Sequence, residues 1–369
     1  MSDRRIGSAQ GAGRKPVAQE PRPVAMPAFG LNRFDFTSPS AFAADIGRAE
    51  RFGWDHAFIP STPLLLRDPY VNLALAAERT ERIGLGPLIE NPVMRHPAVI
   101  ASSIATVAAL APGRTMLTYG AGDTAVRLMG RRPATVAGLA EAVTLTRELL
   151  SGDAVEVPGA ARRARLAHAL PVPVWVAAGG PRTLRMAGRV ADGVFIRVGR
   201  HPANLRAAVD AVRAGAVEAG RDPEGVRIGA VFHTVLDDDL ERAALISRSV
   251  AAGYYEYSPR LFGPPGFEWN GPPVEELKAK VWPDFHHAAD LRESGRVVSF
   301  LPDEVADAFA LHGTPAMIAG QLLQALRIDL PISLVVTHPM PAPLSGGRSP
   351  YLECFATEVI PLVRAGSGG

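Results

Sequence analysis

Strand-like and helix-like segments alternate along most of this sequence, and residues 85–123 show the repeating unit most clearly. They hold an apolar run that ends in an Asn-Pro turn, then a helix with one apolar face. A second apolar run follows and leads into Gly-Ala-Gly-Asp. This order predicts a strand, a crossover helix and a parallel strand. Ligands bind at the carboxyl ends of parallel strands, which is where this stretch gathers its glycine and polar residues.

The alternation recurs often enough to predict a whole architecture. Eight strands separated by helices imply the α/β class and a closed (β/α)8 TIM barrel, with an insertion between strands seven and eight. An open doubly wound sheet is the alternative, but no predicted strand is followed by a G-x-G-x-x-G turn. The predicted strands cover residues 28–34, 54–60, 83–89, 114–119, 172–178, 193–198, 226–236 and 332–338.

The domain organisation follows from where this pattern begins and where it breaks. Residues 1–26 are rich in Gly, Ala, Pro, Gln and Arg and lack periodicity, which predicts a flexible tail. Residues 27–369 are expected to form a single barrel domain. The insertion is placed at about 239–312. Helices are predicted there at 239–253, 275–280, 285–294 and 302–311, and residues 254–283, dense in Pro, Gly and aromatic residues, are expected to be largely irregular.

Composition narrows the class of function. The formal net charge is only +2 and the arginines are scattered, so nucleic-acid binding has little support. Cys354 is the single cysteine, which excludes an internal disulfide and a cysteine-based metal site, and we expect no metal. No apolar run has the length of a signal peptide or a membrane span. We therefore expect a cytoplasmic protein that does not bind membranes.

Three segments together resemble a known family. GLGPLIENPVMRHPAVIASSIATVAALAPGRTMLTYGAGD, LMGRRPATVAGLAEAVTLTRELLSGD and VPVWVAAGGPRTLRMAGRVADGVFIRVG are similar to the bacterial-luciferase-like monooxygenase superfamily. Within it they are most similar to the branch that depends on coenzyme F420, which includes methylenetetrahydromethanopterin reductase. The resemblance extends over roughly residues 28–338 and is weakest in the insertion.

The resemblance implies a barrel with an extra segment after strand seven and a deazaflavin bound at its carboxyl face. The family backs the deazaflavin ring with a bulge in strand three that contains a non-prolyl cis peptide. By position this bulge falls at Leu88 and Ile89. Asn91, before Pro92, either lines the pocket or only makes a turn. Tyr119, at the end of strand four, is expected beside the ring.

The family holds the phosphate of the cofactor side arm with the loop after strand five, which here contains Ala178, Gly179, Gly180, Arg182 and Thr183. The residue types agree with that assignment. Two glycines let the backbone approach an anion, and free N–H groups at the following helix start point toward it. Arg182 or Arg197 can add charge-assisted contacts. The alternative is a helix-entry turn without a ligand.

One departure from the family concerns the end of strand two. Related deazaflavin enzymes commonly have an Asp-His pair there, whereas this chain has Ser61 and Thr62. Two hydroxyls can donate hydrogen bonds to a ring carbonyl, but they do not titrate near neutral pH. The usual substrate and proton chemistry of the family therefore does not transfer directly.

Three titratable residues at strand ends are the candidate catalytic residues. Glu90 follows strand three, where a general acid is useful, although it can equally be a solvated loop charge. His233 and His338 end strands seven and eight and can face the mouth, although satisfied structural histidines are commoner. His286 and His287, by contrast, are interpreted as solvated surface residues.

These features predict an oxidoreductase that transfers a hydride between coenzyme F420 and a small organic molecule, with reduction of a C=C or C=N bond favoured. A reduced-FMN-dependent monooxygenase on the same fold is one alternative, and a non-catalytic barrel acting as a binding subunit is another. A homodimer is the family expectation. The aromatic residues of the insertion suit either a lid or a subunit interface; they are Tyr254, Tyr255, Tyr257, Phe262, Phe267 and Trp269.

Overall fold

A ring of eight parallel strands forms the centre of the protein in the computed structural model, which describes residues 26–34, 37–157, 159, 161–340 and 350–366. The ring closes where its last strand pairs with both the seventh and the first. The predicted (β/α)8 barrel is thereby confirmed. The ring strands are β1 (Ala28–Asn32), β2 (His56–Ile59), β3 (Gly84–Glu90), β4 (Leu117–Tyr119), β5 (Val174–Ala178), β6 (Gly193–Ile196), β7 (Arg227–Leu236) and β9 (Ile332–Pro339). A further strand, β8 (Ala310–Gly313), pairs with β7 outside the ring.

Helices surround the ring, and many begin with a proline in the first turn after a polar cap. Ser38, Asp68 and Thr314 each accept a hydrogen bond from a backbone N–H of the helix that they start. The helices are α1 (Pro39–Phe52), α2 (Pro69–Ala77), α3 (Pro97–Leu110), α4 (Thr124–Leu128), α5 (Val136–Leu150), α6 (Pro181–Val190), α7 (Pro202–Glu218), α8 (Leu240–Tyr257), α9 (Val274–Lys278), α10 (Leu291–Val297), α11 (Asp303–Phe309), α12 (Pro315–Leu326), α13 (Pro350–Cys354) and α14 (Ile360–Gly366), with a π-helical turn at Phe355–Val359. No helix in the described part of the chain is both long enough and apolar enough to cross a bilayer.

Alternate residues of each ring strand point into the barrel, where they form a compact apolar core. Its members are Phe58, Leu88, Met116, Trp175, Phe195, Val231, Leu334 and Val336. Because side chains alternate along a strand, the residue two positions after Phe195 also faces the interior, and the same holds after Val231 and Val336. Those residues are Arg197, His233 and His338, so the apolar core is topped by polar side chains at its carboxyl end.

The insertion differs from the sequence prediction in three places. Residues 302–311 were predicted as one helix, but α11 ends at Phe309 and the buried residues after it form β8. The helix predicted at 285–294 begins only at Leu291, because Asp290 accepts hydrogen bonds from the N–H groups of Arg292 and Glu293. Helix α8 continues to Tyr257, into the segment predicted to be irregular.

The predicted N-terminal tail lies outside the described residues except for Met26, which packs against the core. Helix α4 was not predicted; it is only five residues long. Neither difference alters the ring, since α4 lies in the connection that follows β4.

Candidate functional site

An arc of hydrogen-bonded polar side chains occupies the carboxyl end of the barrel at β1, β6, β7 and β9. His233 and His338 lie opposite each other in the pairing of β7 with β9, and their ring centroids are 4.8 Å apart. Asn32 Nδ2 lies 3.0 Å from His338 Nδ1, and Arg197 donates to His233 Nε2 over 3.1 Å. The structure therefore brings together two of the three catalytic candidates.

The insertion completes this arc with His286, which was interpreted as a surface residue, and with Tyr254, one of the aromatic residues expected in a lid or a subunit interface. The His286 ring stacks on the His233 ring with centroids 4.7 Å apart, and its Nε2 lies 3.0 Å from the carbonyl oxygen of Val250. The hydroxyl of Tyr254 lies 3.2 Å from His233 Nδ1. The interpretation of His286 as a solvated surface residue is wrong, because only 3% of it is exposed. Its burial depends on long-range packing of the insertion, which no local pattern signals.

The imidazoles of the arc are neutral at neutral pH. Burial lowers the pKa of His233 and of His338 well below the ordinary value, and the charge of Arg197 lowers both further. Burial likewise lowers the pKa of His286 to about 3. A guanidinium only donates, so His233 accepts at Nε2 and carries its proton on Nδ1, toward Tyr254. His338 accepts from Asn32 at Nδ1 and carries its proton on Nε2.

A bulge interrupts β3 where the resemblance implied it. The peptide bond between Leu88 and Ile89 is cis, and the register with β4 shifts between Leu88 and Glu90. The prediction of a non-prolyl cis peptide at this position is thus confirmed. The bulge also fits closely against the next strand end, because a Cβ on Gly120 would lie 2.3 Å from Ile89 Cδ1.

Glu90 is fully buried rather than a solvated loop charge. Its Oε1 accepts a hydrogen bond from the N–H of Asn91, and Arg95 Nε lies 3.9 Å from its Oε2. Burial raises the pKa of Glu90, although the Asn91 N–H and the charge of Arg95 oppose the shift. Glu90 Oε2 and the Tyr70 hydroxyl are both buried, and Tyr70 lies close enough to the Glu90 carboxyl to lower its pKa.

Three residues near Glu90 were predicted to contact the cofactor, and the structure places each of them differently. Ser61 is buried and close enough to help hold the Glu90 carboxylate, whereas Thr62 is half-buried and its carbonyl accepts from the next turn. Asn91 makes the turn, since its Oδ1 accepts from the N–H of Met94. Its Nδ2 is buried without a partner in the described structure, so the residue that makes the turn also keeps an unused donor.

The side chain of Tyr119 points away from the mouth. Its hydroxyl lies 2.8 Å from Thr146 Oγ1 of α5, and the residue is fully buried in the layer between strands and helices. The interior position of β4 is Thr118, two residues after Met116, and its Oγ1 is buried without a partner in the described chain. Thr118 is therefore the β4 side chain that faces the barrel interior, and counting two residues on from Met116 would have identified it.

The loop after β5 has the features of an anion site. Gly180 caps α6 without a side-chain hydrogen bond, which leaves the first N–H groups of that helix free of a side-chain acceptor. A cavity of about 440 Å³ opens beside them. Its lining residues are Val136, Gly180, Pro181, Arg182, Thr183 and Arg260. Ala178 is buried just before the loop. Arg260, from the insertion, adds a guanidinium to the cavity lining, which the sequence did not predict.

Arg197 does not line this cavity, although its backbone shapes the loop. Its N–H donates to the carbonyl oxygen of Ala178 over 2.9 Å, and a Cβ on Gly179 would lie 2.6 Å from the carbonyl oxygen of Arg197. The guanidinium of Arg197 belongs instead to the arc of histidines. Arg182 and Arg197 were both expected to contact the cofactor phosphate, but in the structure only Arg182 lines this cavity.

Comparison with known proteins places this geometry in a family. The sequence profile of the luciferase-like monooxygenase family matches residues 33–329. An F420-dependent glucose-6-phosphate dehydrogenase of Intrasporangium calvum is 38% identical over 343 residues, which cover 86% of this chain and 92% of the relative. A 5,10-methylenetetrahydromethanopterin reductase of Methanolobus tindarius is 28% identical over 321 residues, covering 85% and 93%.

A solved structure gives the same result. The coenzyme F420-dependent tetrahydromethanopterin reductase of Methanopyrus kandleri superposes with a TM-score of 0.71 at 25% identity, covering 91% of this chain and 99% of that one. The profile match, the relatives and the barrel with its bulged third strand agree with one another. This chain belongs to the luciferase-like monooxygenase family.

Proposed function

We propose that this protein is an oxidoreductase that transfers a hydride between coenzyme F420 and a small organic molecule. One observation carries the proposal. The methylenetetrahydromethanopterin reductase and the glucose-6-phosphate dehydrogenase are named for different substrates, yet each is similar to this chain over more than four fifths of its length. What the names of the dehydrogenases and of the solved reductase share is F420. We therefore infer the same cofactor for this chain, but we do not infer the substrate of either relative.

The residues present fit a deazaflavin. Asn91 Nδ2 and Thr118 Oγ1 are buried polar atoms at the carboxyl end of the barrel without partners in the described chain, and they can bond polar atoms of a ring. Ser61 and Thr62 can donate from the end of β2. The loop at Gly179 and Gly180, with Arg182, Thr183 and Arg260 around the cavity, can hold a phosphate.

When bound, the deazaflavin supplies the carbon that gives or takes the hydride. This chain's own part is to position the reactants and exclude water. Leu88 and Ile89 present an apolar surface at the bulge. Across the mouth, His233 is held between Arg197 and Tyr254, and His338 is held by Asn32, so both imidazoles have fixed orientations.

His233 and His338 are neutral, and their acceptor nitrogens already accept from Arg197 and Asn32, so each offers a ring N–H that can donate a hydrogen bond rather than a site for proton transfer. We assign proton transfer to Glu90. Glu90 is the candidate acid, because burial raises its pKa and so keeps it protonated to higher pH than an exposed carboxyl. We propose reduction of a C=C or C=N bond, since the Ser61-Thr62 end of β2 offers no base for alcohol oxidation.

The direction of the reaction can be tested with paired substrate panels. Reduced F420 should be reoxidised by compounds with an activated C=C or C=N bond, seen as the return of deazaflavin absorbance. Oxidised F420 should not be reduced by secondary alcohols under the same conditions. Turnover of the alcohols alone would contradict the proposed direction while leaving the cofactor assignment intact.

We also propose a homodimer. Val71 and Leu75 lie one turn apart on α2, and Val99 lies on the neighbouring α3; they are 56%, 36% and 52% exposed. Such an apolar face suits burial against a second copy. Light scattering of the purified protein should give twice the chain mass, and Val71→Asp should give the mass of one chain. A monomeric wild-type protein would contradict the proposal.

A further inference from the structure

The candidate acid Glu90 lies in a buried cluster that joins the end of β3 to the start of α2. Its carboxyl is fully buried, and its Oε1 accepts a hydrogen bond from the N–H of Asn91 over 2.9 Å. Oε2 is therefore the oxygen that can carry the proton of the neutral acid. Tyr70 of α2 and Tyr119 of β4 also lie near this carboxyl. Burial raises the pKa of both tyrosines, so neither adds a charge at neutral pH.

A positive charge beside Glu90 belongs to Arg95, which is shared with a second carboxylate. Nη2 of Arg95 donates to Oδ2 of Asp68, whereas its Nε lies 3.9 Å from Oε2 of Glu90. The first contact is a hydrogen bond, and the second is too long to be one. The guanidinium also lies over the Tyr70 ring, 5.1 Å from its centre, and this cation–π contact restrains it further.

Asp68 is held in place at the surface end of this cluster. Its Oδ1 accepts from the N–H groups of Tyr70 and Val71, so the residue caps α2 while Oδ2 binds Arg95. Burial alone would raise the pKa of Asp68, but the hydrogen bonds from Arg95 and from the helix N–H groups lower it below the ordinary value. Asp68 is therefore ionised at neutral pH. Its side chain is 39% exposed, whereas that of Glu90 is 0% exposed.

The position of the guanidinium decides which form of Glu90 is favoured. An arginine hydrogen-bonded directly to a buried carboxyl favours the carboxylate, which has no proton to donate. We propose that Asp68 and Arg95 are positioning residues: Asp68 holds the guanidinium beyond hydrogen-bonding distance of Glu90 and thereby keeps Glu90 in its acid form. This inference rests on the proposed function, in which Glu90 is the acid, and adds control of its charge by a partly exposed ion pair.

Two substitutions should shift the titration of Glu90 in opposite directions. Asp68→Asn still caps α2, because Asn caps helices about as well as Asp, but its amide nitrogen cannot accept from Arg95. The guanidinium is then free to approach Glu90, which should lose its proton at lower pH. Arg95→Gln removes the positive charge, so the midpoint of the Glu90 titration should rise by about one pH unit or more. Structural damage alone would not produce shifts of opposite sign.

Difference infrared spectroscopy of the purified protein without cofactor measures this titration directly. The carbonyl band of protonated Glu90 is identified by its loss in Glu90→Gln. The pH midpoint of that band is then compared among wild type, Asp68→Asn and Arg95→Gln, with thermal melts to check that each variant is folded. With F420 and a substrate that is turned over, the alkaline limb of the kcat profile should move in the same two directions.

Two conservative variants keep the comparison decisive. Arg95→Lys preserves the charge and should bring the midpoint back toward that of wild type. If Asp68→Asn does not fold, Asp68→Ser replaces it, since Ser also caps helices and carries no charge. Shifts of opposite sign in the two variants support the inference. It is overturned if both keep the wild-type midpoint, if both shift in the same direction, or if no titrating band is lost in Glu90→Gln.

The result is separable from the proposed function, because the band is measured without F420. Opposite shifts in a protein that turns over no substrate with F420 would support the control of the Glu90 charge and remove the proposed function. Turnover with F420 in a protein whose Glu90 midpoint is the same in all variants would overturn the inference and leave the proposed function standing.

Discussion

The two adjacent glycines after β5 give a matched pair that separates cofactor contact from protein packing. A Cβ on Gly180 would meet no protein atom within 4 Å, and its φ of −82° is ordinary for alanine. A Cβ on Gly179 would instead lie 2.6 Å from the backbone oxygen of Arg197. Overpacking of that kind costs about 1–3 kcal/mol, which lowers the melting temperature of a chain of this length by roughly 1–4 °C.

Gly180→Ala should therefore affect the cofactor more than the fold. Its effect on stability should stay below about 1 kcal/mol, the scale of a helix-cap change. If the phosphate contacts the free amides there, the new methyl group blocks about one charge-assisted hydrogen bond, which corresponds to a loss of roughly 10- to 100-fold in F420 affinity. Thermal melts and quenching titrations measure the two quantities. Unchanged F420 affinity in Gly180→Ala would refute the assignment of this loop to the phosphate.

Three further predictions concern other parts of the site. Tyr119→Phe should lower the free energy of unfolding by about 1–2 kcal/mol in urea titrations, because it removes the hydrogen bond to Thr146, and should leave F420 affinity unchanged. The pKa of His286 is about 3 in the folded state, below its unfolded value near 6.5, so unfolding takes up a proton as pH falls below about 6.5 and stability drops. Between pH 6 and pH 5, His286→Gln should therefore lose about 1.2 kcal/mol less stability than wild type. If Glu90 is the acid, activity falls as pH rises through its raised pKa, and Glu90→Gln should remove that limb and lower kcat by about 10²- to 10⁴-fold; a wild-type pH profile in the variant would exclude the role.

Much of the fold could be predicted because it depends on local patterns that repeat. Apolar runs alternate with amphipathic helices, so the ring of strands followed from the sequence. The cis peptide at Leu88 was predictable only through family resemblance, since nothing in the residue types of the bulge requires it. The short strand β8 was missed because its first two residues, Ala310 and Leu311, are buried and continue the apolar pattern of the helix before them.

A site residue could be predicted only where it was known which alternate residues of its strand point into the barrel. Counting two residues on from Phe195, Val231 and Val336 gives Arg197, His233 and His338, which all face the mouth. The same count from Met116 gives Thr118 rather than Tyr119, so the residue expected beside the ring was one position off. A shift of one residue moves a side chain to the other face of the strand.

The aromatic composition of the insertion indicated a lid or a subunit interface, but nothing in the sequence indicated which of its residues contact the site. His286 and Tyr254 reach the arc through packing between segments that are far apart in sequence, and Arg260 reaches the cavity in the same way. Local residue pattern describes helices and strands, whereas these positions are set by how α8 and the following turns pack over the barrel end. Such contacts become visible only in three dimensions.

We propose that the mouth of this barrel binds a deazaflavin rather than FMN. The most direct measurement is titration of the purified protein with oxidised F420, followed by fluorescence quenching, and then competition with FMN. We expect saturable quenching with one F420 per chain, which an equal concentration of FMN does not reverse. Tight binding of FMN without any quenching of F420 fluorescence would contradict it and favour the reduced-FMN-dependent monooxygenase.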